Sequence, residues 1–391
     1  MIDVREAKNL IKDNLICERI VSLPLSEACG FILAERVLAA FDTPSFDQSA
    51  MDGYAFSHEN WDGKTELTIA GEVRAGTYTP DLLKPMQTVR IFTGAPIPAG
   101  ADTVVMQENV TVFGKANRIN IGQITKGSNI RLRGSQTRKS EVALKEGKLL
   151  SAPAISFLAG IGIDKVRVYA KPHISIIITG KELLKPGSTI SFGKIFESNS
   201  LGITAALMQL NISPVSIDFI DDIEEELIRA IKNRMGADIL IVTGGISEGN
   251  YDFTAEALNK CSVEKLFHRV KQKPGKPFYF GKYLQTAVFA LPGNPAAALT
   301  CFYEYIVPAI GYFTRKEYFQ KLKIPLADDY KKKVGLTYFL KGKISSGTVT
   351  VLSGQESYMM NSFAMADCLI QLDEEKEQYI KGELVDVLMI I

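Results

Sequence analysis

Three stretches of the chain are apolar without interruption, and each runs into a turn: HISIIITG at 173–180, DILIVTGG at 238–245 and TAVFALPGNP at 286–295. A strand with one wet face alternates polar and apolar residues, so runs without alternation read as strands covered on both faces. Helical patterns fill the intervals, at 199–210, 223–235, 254–260 and 296–311. Apolar strands alternating with helices define an α/β layer with a largely parallel sheet. Ligands of such sheets bind at the carboxyl ends of the strands, where these Gly- and Pro-containing turns fall.

The rest of the chain has another texture. Residues 3–17 read as an amphipathic helix, with Asp3 as N-cap and Val4, Ala7, Leu10, Ile11 and Leu15 on one face. A second helix is expected at about 26–36. From 65 to 150, β-like runs such as ELTIAGEV, QTVRIFTG and DTVVMQENVTVF are closely punctuated by Gly and Pro. From about 320 short strands return, among them VTVLSG, CLIQLD and VDVLMII. The expectation is thus a multidomain α/β protein with an inserted β-rich domain and a small C-terminal β domain.

The 391 residues suffice for roughly two to four domains. A charged fraction of 23% and a net charge of +1 give no footprint for nucleic acid or a membrane surface. No apolar run reaches the ~18 residues of a spanning helix. The opening MIDVREAKNLIKDNL mixes charge with apolar residues, as no secretory signal does, and a cytoplasmic protein is expected. Five scattered cysteines and three separated histidines argue against a disulfide framework and against a His/Cys metal site. A metal would then have oxygen ligands, which favours magnesium.

The turns carry the candidate chemistry. In TGGISEGNYDFT, Gly244 and Gly245 let backbone approach a ligand, Ser247 and Asn250 offer hydrogen bonds, and Asp252 precedes a helix N-terminus suited to phosphate. The same residues also suit a plain turn with Asp252 or Thr254 as helix cap. LPGNP places Asn294 as an N-cap and Pro295 at a first helical position. KQKPGKPFYFG holds Lys271, Lys273 and Lys276 on a proline-stiffened ribbon. Glu182 follows a strand in ITGKELL, and Asp221 and Asp222 open DDIEEEL, where helix capping is an equal reading. Acids at strand ends beside lysines and phosphate-type turns would form a magnesium–phosphate site. Upstream, PSFDQSAMDGYAF sets Asp52 beside Gly53 among Met51, Tyr54 and Phe56. RIFTGAPIPAGADTVVMQE makes a stiff turn at Thr93, and NIRLRG offers Arg131 and Arg133 to an oxyanion.

In this order PSFDQSAMDGYA, IFTGAPIPAGADTVVMQE, NIRLRG, TGGISEGNYDFT, KPGKPFYFG and LPGNPAA resemble the MoeA family of molybdopterin molybdenumtransferases, to which the C-terminal domain of gephyrin belongs. The resemblance implies an elongated subunit of four domains: 1–43 with 135–168, a β-rich 44–134, an α/β domain 169–318 with the fold of the molybdopterin adenylyltransferases, and 319–391. It implies a homodimer whose active site lies where the third domain of one subunit meets the first two of the other. The implied reaction inserts molybdenum from molybdate into adenylylated molybdopterin and releases AMP with magnesium assistance.

On that resemblance Asp52, Thr93, Glu182 and Asp252 take catalytic positions, and Glu182, Asp222 and Asp252 bind the metal. Arg131, Lys273, Lys276, Pro292, Pro295 and Ser362 contact substrate, joined by Gly244, Gly245 and Ser247 of the middle turn. A molybdopterin adenylyltransferase, and molybdoenzymes or their chaperones, are the implied transient partners, with neither nucleic acid nor membrane. Two departures lie close to the chemistry. RLRGSQ stands where the family has RRGED, giving Ser135 and Gln136 for acids, and TGKEL stands for TGDEL, giving Lys181. The first implies weaker metal binding from that side and the second adds a cation near the metal or anion site, so together they imply altered metal affinity or reduced activity. The alternatives are an adenylyltransferase, which needs only 170–318, and a molybdopterin-binding scaffold with weakened catalysis.

Overall fold

The three apolar runs lie side by side. In the computed structural model of the chain, Ile174–Thr179, Ile239–Thr243 and Thr286–Leu291 pair in parallel, with Ile176 opposite Ile241 and Ile241 opposite Phe289. The structure describes residues 1–16, 19–77, 82–114, 117–246 and 253–390. They fall into two compact units, Met1–Val21 with Tyr169–Ile391, and Ser22–Val168.

In the first unit Ser216–Ile220 extends the parallel set on one side, and Pro277–Tyr283 and Glu264–Arg269 continue the other edge antiparallel. Every residue of the three central strands is buried. Successive side chains point to opposite faces. Ile174, Ile176 and Ile178 pack with Ile203 and Leu207 of helix Asn199–Gln209, while Ile177 packs with Leu227 and Ile231 of helix Glu224–Arg234 and Leu258 of helix Phe253–Lys260. Each such apolar side chain contributes roughly 1.5–3 kcal/mol by leaving water; the few polar residues of these strands are small, and Ser175 and Thr179 share hydrogen bonds with Ser216 and Asp222.

A helix over Pro295–Thr314 crosses the first of these cores. By length and composition it could span a membrane, but 78% of its most apolar window is buried within the protein, so it is a core helix. One stretch of it, Phe302–Ile306, has π-helical geometry. The N-terminal helix Val4–Asn14 starts as its sequence implies, with Asp3 accepting from the Glu6 N–H at 2.8 Å, and packs Val4, Ala7 and Ile11 into the same core. C-terminal strands Lys321–Pro325, Thr337–Ser345, Cys368–Leu372 and Leu384–Met389 form a further sheet, to which Gln272–Lys273 adds beside Thr337–Tyr338. The short strand ties the lysine ribbon to the C-terminal sheet.

The second unit holds a six-stranded sheet in the order Thr103–Met106, Gly53–Phe56, Gln87–Ile91, Leu67–Val73, Arg118–Ile121, Val110–Phe113. Gly53 sits where a Cβ would come within 1.9 Å of the Val105 carbonyl oxygen, so close strand approach excludes any side chain after Asp52. The helix expected at 26–36 does not form. Leu25–Glu27 makes one 3-10 turn, Gly30 takes φ +84°, and Ile32 and Leu33 form bridges to Leu149 and Val168. Extended pairing takes its place. Ala152–Gly160 is a helix that the sequence reading lacks. The multidomain α/β architecture with β-rich parts is the one found.

Candidate functional site

At the carboxyl ends of the parallel strands the first unit opens a cavity of about 630 Å³. Thr179, Thr243 and Pro292, each closing or following a strand, line it together with Glu182, Gly244, Gly245 and Pro295. The turn after Thr243 is possible only with glycine. Gly244 (φ +95°) and Gly245 (φ +65°) lie in the left-handed region, and a Cβ on Gly244 would come within 2.0 Å of the Thr179 carbonyl oxygen. Thr254, in the first turn of its helix, donates its hydroxyl to the Gly244 carbonyl at 3.0 Å. Backbone therefore forms the cavity floor.

The acids differ from one another. Asp222 does not cap the helix after it, whose N-cap is Ile223. Its carboxylate turns back to the strand end, accepting from the Thr179 hydroxyl at 2.9 Å and the Lys181 N–H at 3.2 Å. Glu182 starts no helix either; it precedes the two-residue strand Leu183–Leu184 and its side chain is exposed on the cavity rim. Ser247 and Asp252 lie outside the described residues, as does Asn250. Among the described residues no group of three His, Cys, Asp or Glu is gathered for a metal. Glu182 and Asp222 are nevertheless all-oxygen donors, and magnesium is commonly held by one or two carboxylates completed by substrate phosphates and water. By donor chemistry the two carboxylates suit such an ion; of the two, Glu182 lines the cavity, and Asp222 is held behind it by Thr179 and Lys181.

The long helix begins after Asn294 with Pro295 at its first position, as the sequence implies, but the Asn294 side chain does not cap it. It donates to the Ser357 hydroxyl at 2.9 Å, and the Ser357 carbonyl accepts from the N–H groups of Ala296 and Ala297 at 3.0 and 3.2 Å. Part of this helix N-terminus is thus occupied by the protein itself. Tyr358, beside Ser357, lines the cavity, as do Asn199 and the buried Glu197, whose carboxylate holds the Ser200 N–H and hydroxyl at 2.7 and 2.5 Å. The sequence reading missed all four; SGQESYMM carries no signal beyond a polar loop.

Lys273 and Lys276 sit on the ribbon around Gly275, whose Pro277 reaches the cavity wall. The Lys273 ammonium lies 5.3 Å from the centre of the Tyr338 ring. Lys271 is paired with Glu374 at 2.9 Å. Ser362 donates to the Ser353 carbonyl at 2.6 Å and bounds the Ser357 loop rather than the cavity.

Asp52, Thr93 and Arg131 belong to the second unit. Thr93 gives Asp52 two hydrogen bonds to one oxygen, from its N–H at 2.8 Å and its hydroxyl at 2.7 Å. Those bonds, the backbone one first, with the nearby Arg90 charge, hold the Asp52 carboxyl below the usual carboxylate range. The next residues continue the clamp: Gly94 N–H donates to Ser49, and Ile130–Arg131 pairs with Gln48–Ser49. Asp52, Thr93 and Arg131 thereby share one braced edge. Arg131 is exposed, whereas Arg133 is taken by Asp42 at 2.7 Å.

This is a multidomain α/β protein with a backbone-floored, acid-rimmed cavity at its strand ends. Its residues 2–162 match the MoeA N-terminal region (domain I and II), 175–312 a probable molybdopterin binding domain, and 323–390 the MoeA C-terminal region (domain IV). A molybdopterin molybdenumtransferase of Haemophilus influenzae is 33% identical over 375 residues, covering 93% of this chain and 92% of that protein. One of Staphylococcus aureus is 32% identical over 404 residues, covering 99% and 95%. The crystal structure of a molybdopterin biosynthesis MoeA protein from Pyrococcus horikoshii superposes with a TM-score of 0.86 at 27% identity, over 100% of this chain and 99% of that one. The chain belongs to the MoeA family.

Proposed function

We propose that this chain is a molybdopterin molybdenumtransferase of molybdenum cofactor biosynthesis, moving molybdenum from molybdate into adenylylated molybdopterin with release of AMP. The observation that carries the reading is the strand-end cavity, whose lining, Tyr358 apart, falls inside the region matching a molybdopterin binding domain and includes the Gly244–Gly245 backbone. An anionic oxometalate must approach two sulfurs next to a pyrophosphate, so the site has to offset like charges. Backbone N–H groups and the Lys273 and Lys276 ammonium groups serve that end, with Pro292 and Pro295 shaping the pocket and Ser247 as a further substrate contact, while Ser362 supports the loop that carries Tyr358 to the cavity wall. Glu182 and Asp222, with Asp252, would hold magnesium, which supplies charge neutralisation at the scissile phosphate.

Asp52, Thr93 and Arg131 complete the site from the other subunit of a homodimer in this reading. Exposed apolar residues support an assembly: Phe192, Ile195, Phe196 and Leu201 on the first unit, and Phe41, Phe46, Leu132 and Val142 on the second. A cytoplasmic enzyme receiving substrate from an adenylyltransferase and passing product to molybdoenzymes or their chaperones is the corresponding cellular role.

The test mixes purified protein with adenylylated molybdopterin, molybdate and magnesium, and follows AMP and active cofactor. Turnover by the native chain, lost in Asp52→Asn and Asp252→Asn while the dimer persists, is the expected result. Binding without AMP release would overturn the transferase reading and point to Gln136 and Lys181.

A further inference from the structure

We propose that a second cavity, at the carboxyl end of the long core helix, binds a small planar aromatic carboxylate. The cavity measures about 380 Å³ and shares no lining residue with the strand-end site. That volume suits a ligand of one or two fused rings, at the small end of the usual range for ligand sites.

The walls set the ligand chemistry. Tyr303 and Phe319 meet edge to face with ring centres 5.5 Å apart, and Tyr318 adds a third ring. Aromatic walls favour a flat ring over a bulky aliphatic group. Around them stand Arg315, Lys316 and Lys321, and among the described residues none of these three is in an ion pair. Arg315 and Lys316 rest on aromatic faces instead, 5.7 Å from the Tyr169 ring centre and 4.9 Å from that of Tyr318. Glu317 is the single carboxylate of the lining.

Complementing the negative end of a helix is the plain alternative for two of these cations. A helix end carries about half a charge, which cannot balance three cations, and Lys321 comes from a separate strand. The excess is felt nearby: burial first, then the Lys316 charge, lowers the pKa of Lys171. Backbone geometry fixes the arrangement. Arg315 takes a left-handed φ of +53°, the N–H groups of Arg315 and Lys316 both donate to the Gly311 carbonyl, and a Cβ on Gly311 would come within 2.7 Å of the Lys316 carbonyl oxygen. A neutral ring would draw nothing from the three cations and a non-aromatic anion would leave the rings uncovered. An aromatic carboxylate satisfies both.

The experiment titrates the full-length protein with 2-naphthoate, followed by calorimetry and ligand-observed NMR, beside 2-naphthamide and cyclohexanecarboxylate. Saturable one-to-one binding of the naphthoate is expected, roughly tenfold tighter than either control. Lys316→Gln and Tyr318→Leu should each weaken it by about tenfold, and saturating AMP should leave it unchanged. Equal binding of the controls, equal binding by the variants, displacement by AMP, or no binding at all would overturn the proposal. Circular dichroism checks that each variant is folded, and Lys316→Gln, a change at a partly exposed side chain, decides the matter if Tyr318→Leu is not. The result does not depend on the transferase reading.

Discussion

Thr93 donates both its backbone N–H and its hydroxyl to the same oxygen of Asp52, at 2.8 and 2.7 Å. The two bonds favour the charged carboxylate, so its folded-state pKa lies below the ordinary 3.8. The stabilisation is present above the unfolded-state value and is lost as pH falls through the folded one. Thr93→Val removes the hydroxyl and keeps the shape. The Asp52 pKa should then rise toward 3.8, and the acid limb of the unfolding profile should move to higher pH with it. Carboxyl-carbon NMR titration of both proteins checks this; an unmoved Asp52 titration would show that the backbone bond alone sets the shift.

Two glycines of the strand-end cavity should respond oppositely to alanine. At Gly244 a methyl group would meet the Thr179 carbonyl oxygen at 2.0 Å in a left-handed backbone, whereas at Gly293 the nearest atom is 3.8 Å away and no such backbone is required. Gly244→Ala should cost about 2–4 kcal/mol from strain and backbone displacement. Gly293→Ala should stay within roughly 0.5 kcal/mol. Urea unfolding midpoints distinguish them, and AMP binding should fail only in the first.

Much of this was legible in the chain because it rests on local pattern. Uninterrupted apolar runs gave away the three central strands, and strand ends bounded by glycine and proline pointed to Glu182, Gly244, Gly245, Pro292 and Pro295. Asp222 stood out only through the family resemblance: by local pattern alone a run of acids before a helix reads equally as capping, yet its carboxylate bonds to Thr179, 43 residues earlier. The Ser357 contact to Asn294 spans 63 residues, and no local pattern encodes it. The helix expected at 26–36 shows the converse, since Gly30 in the left-handed region and the bridges of Ile32 and Leu33 to Leu149 and Val168 overrule it.

Beneath the lysine ribbon, Tyr305 donates its hydroxyl to the Gln272 side-chain carbonyl, and the Gln272 amide donates to the Gly275 carbonyl at 3.0 Å and to the Cys301 sulfur at 3.4 Å. All are buried, and burial pushes the Cys301 thiol up beyond reactivity. Tyr305→Phe leaves a buried carbonyl unsatisfied, at a cost of about 1–3 kcal/mol. Pairing it with Gln272→Leu removes both partners, so the double variant should be more stable than the sum of the singles. Denaturation of the four proteins gives the coupling directly; strict additivity would mean that the bond contributes nothing.

Lys341 is buried, yet its ammonium reaches three carbonyls, those of Gly354 at 2.5 Å, Met359 at 3.1 Å and Glu356 at 3.3 Å. It thereby gathers the loop that carries Ser357 to the start of the long helix and Tyr358 to the cavity wall. Lys341→Met retains the apolar stem and removes the donor, leaving three carbonyls short of a partner and the N–H groups of Ala296 and Ala297 less securely held. The expected loss is about 2–4 kcal/mol, with weaker AMP binding at temperatures where the variant is fully folded. Ser357→Ala is the contrasting case, because the carbonyl that caps the helix belongs to the backbone and survives. Only the Asn294 bond is lost, so it should cost roughly 1 kcal/mol or less and leave binding nearly intact. If both variants weaken AMP binding equally, the Asn294–Ser357 side-chain contact, rather than the Lys341 anchor, shapes that wall of the cavity.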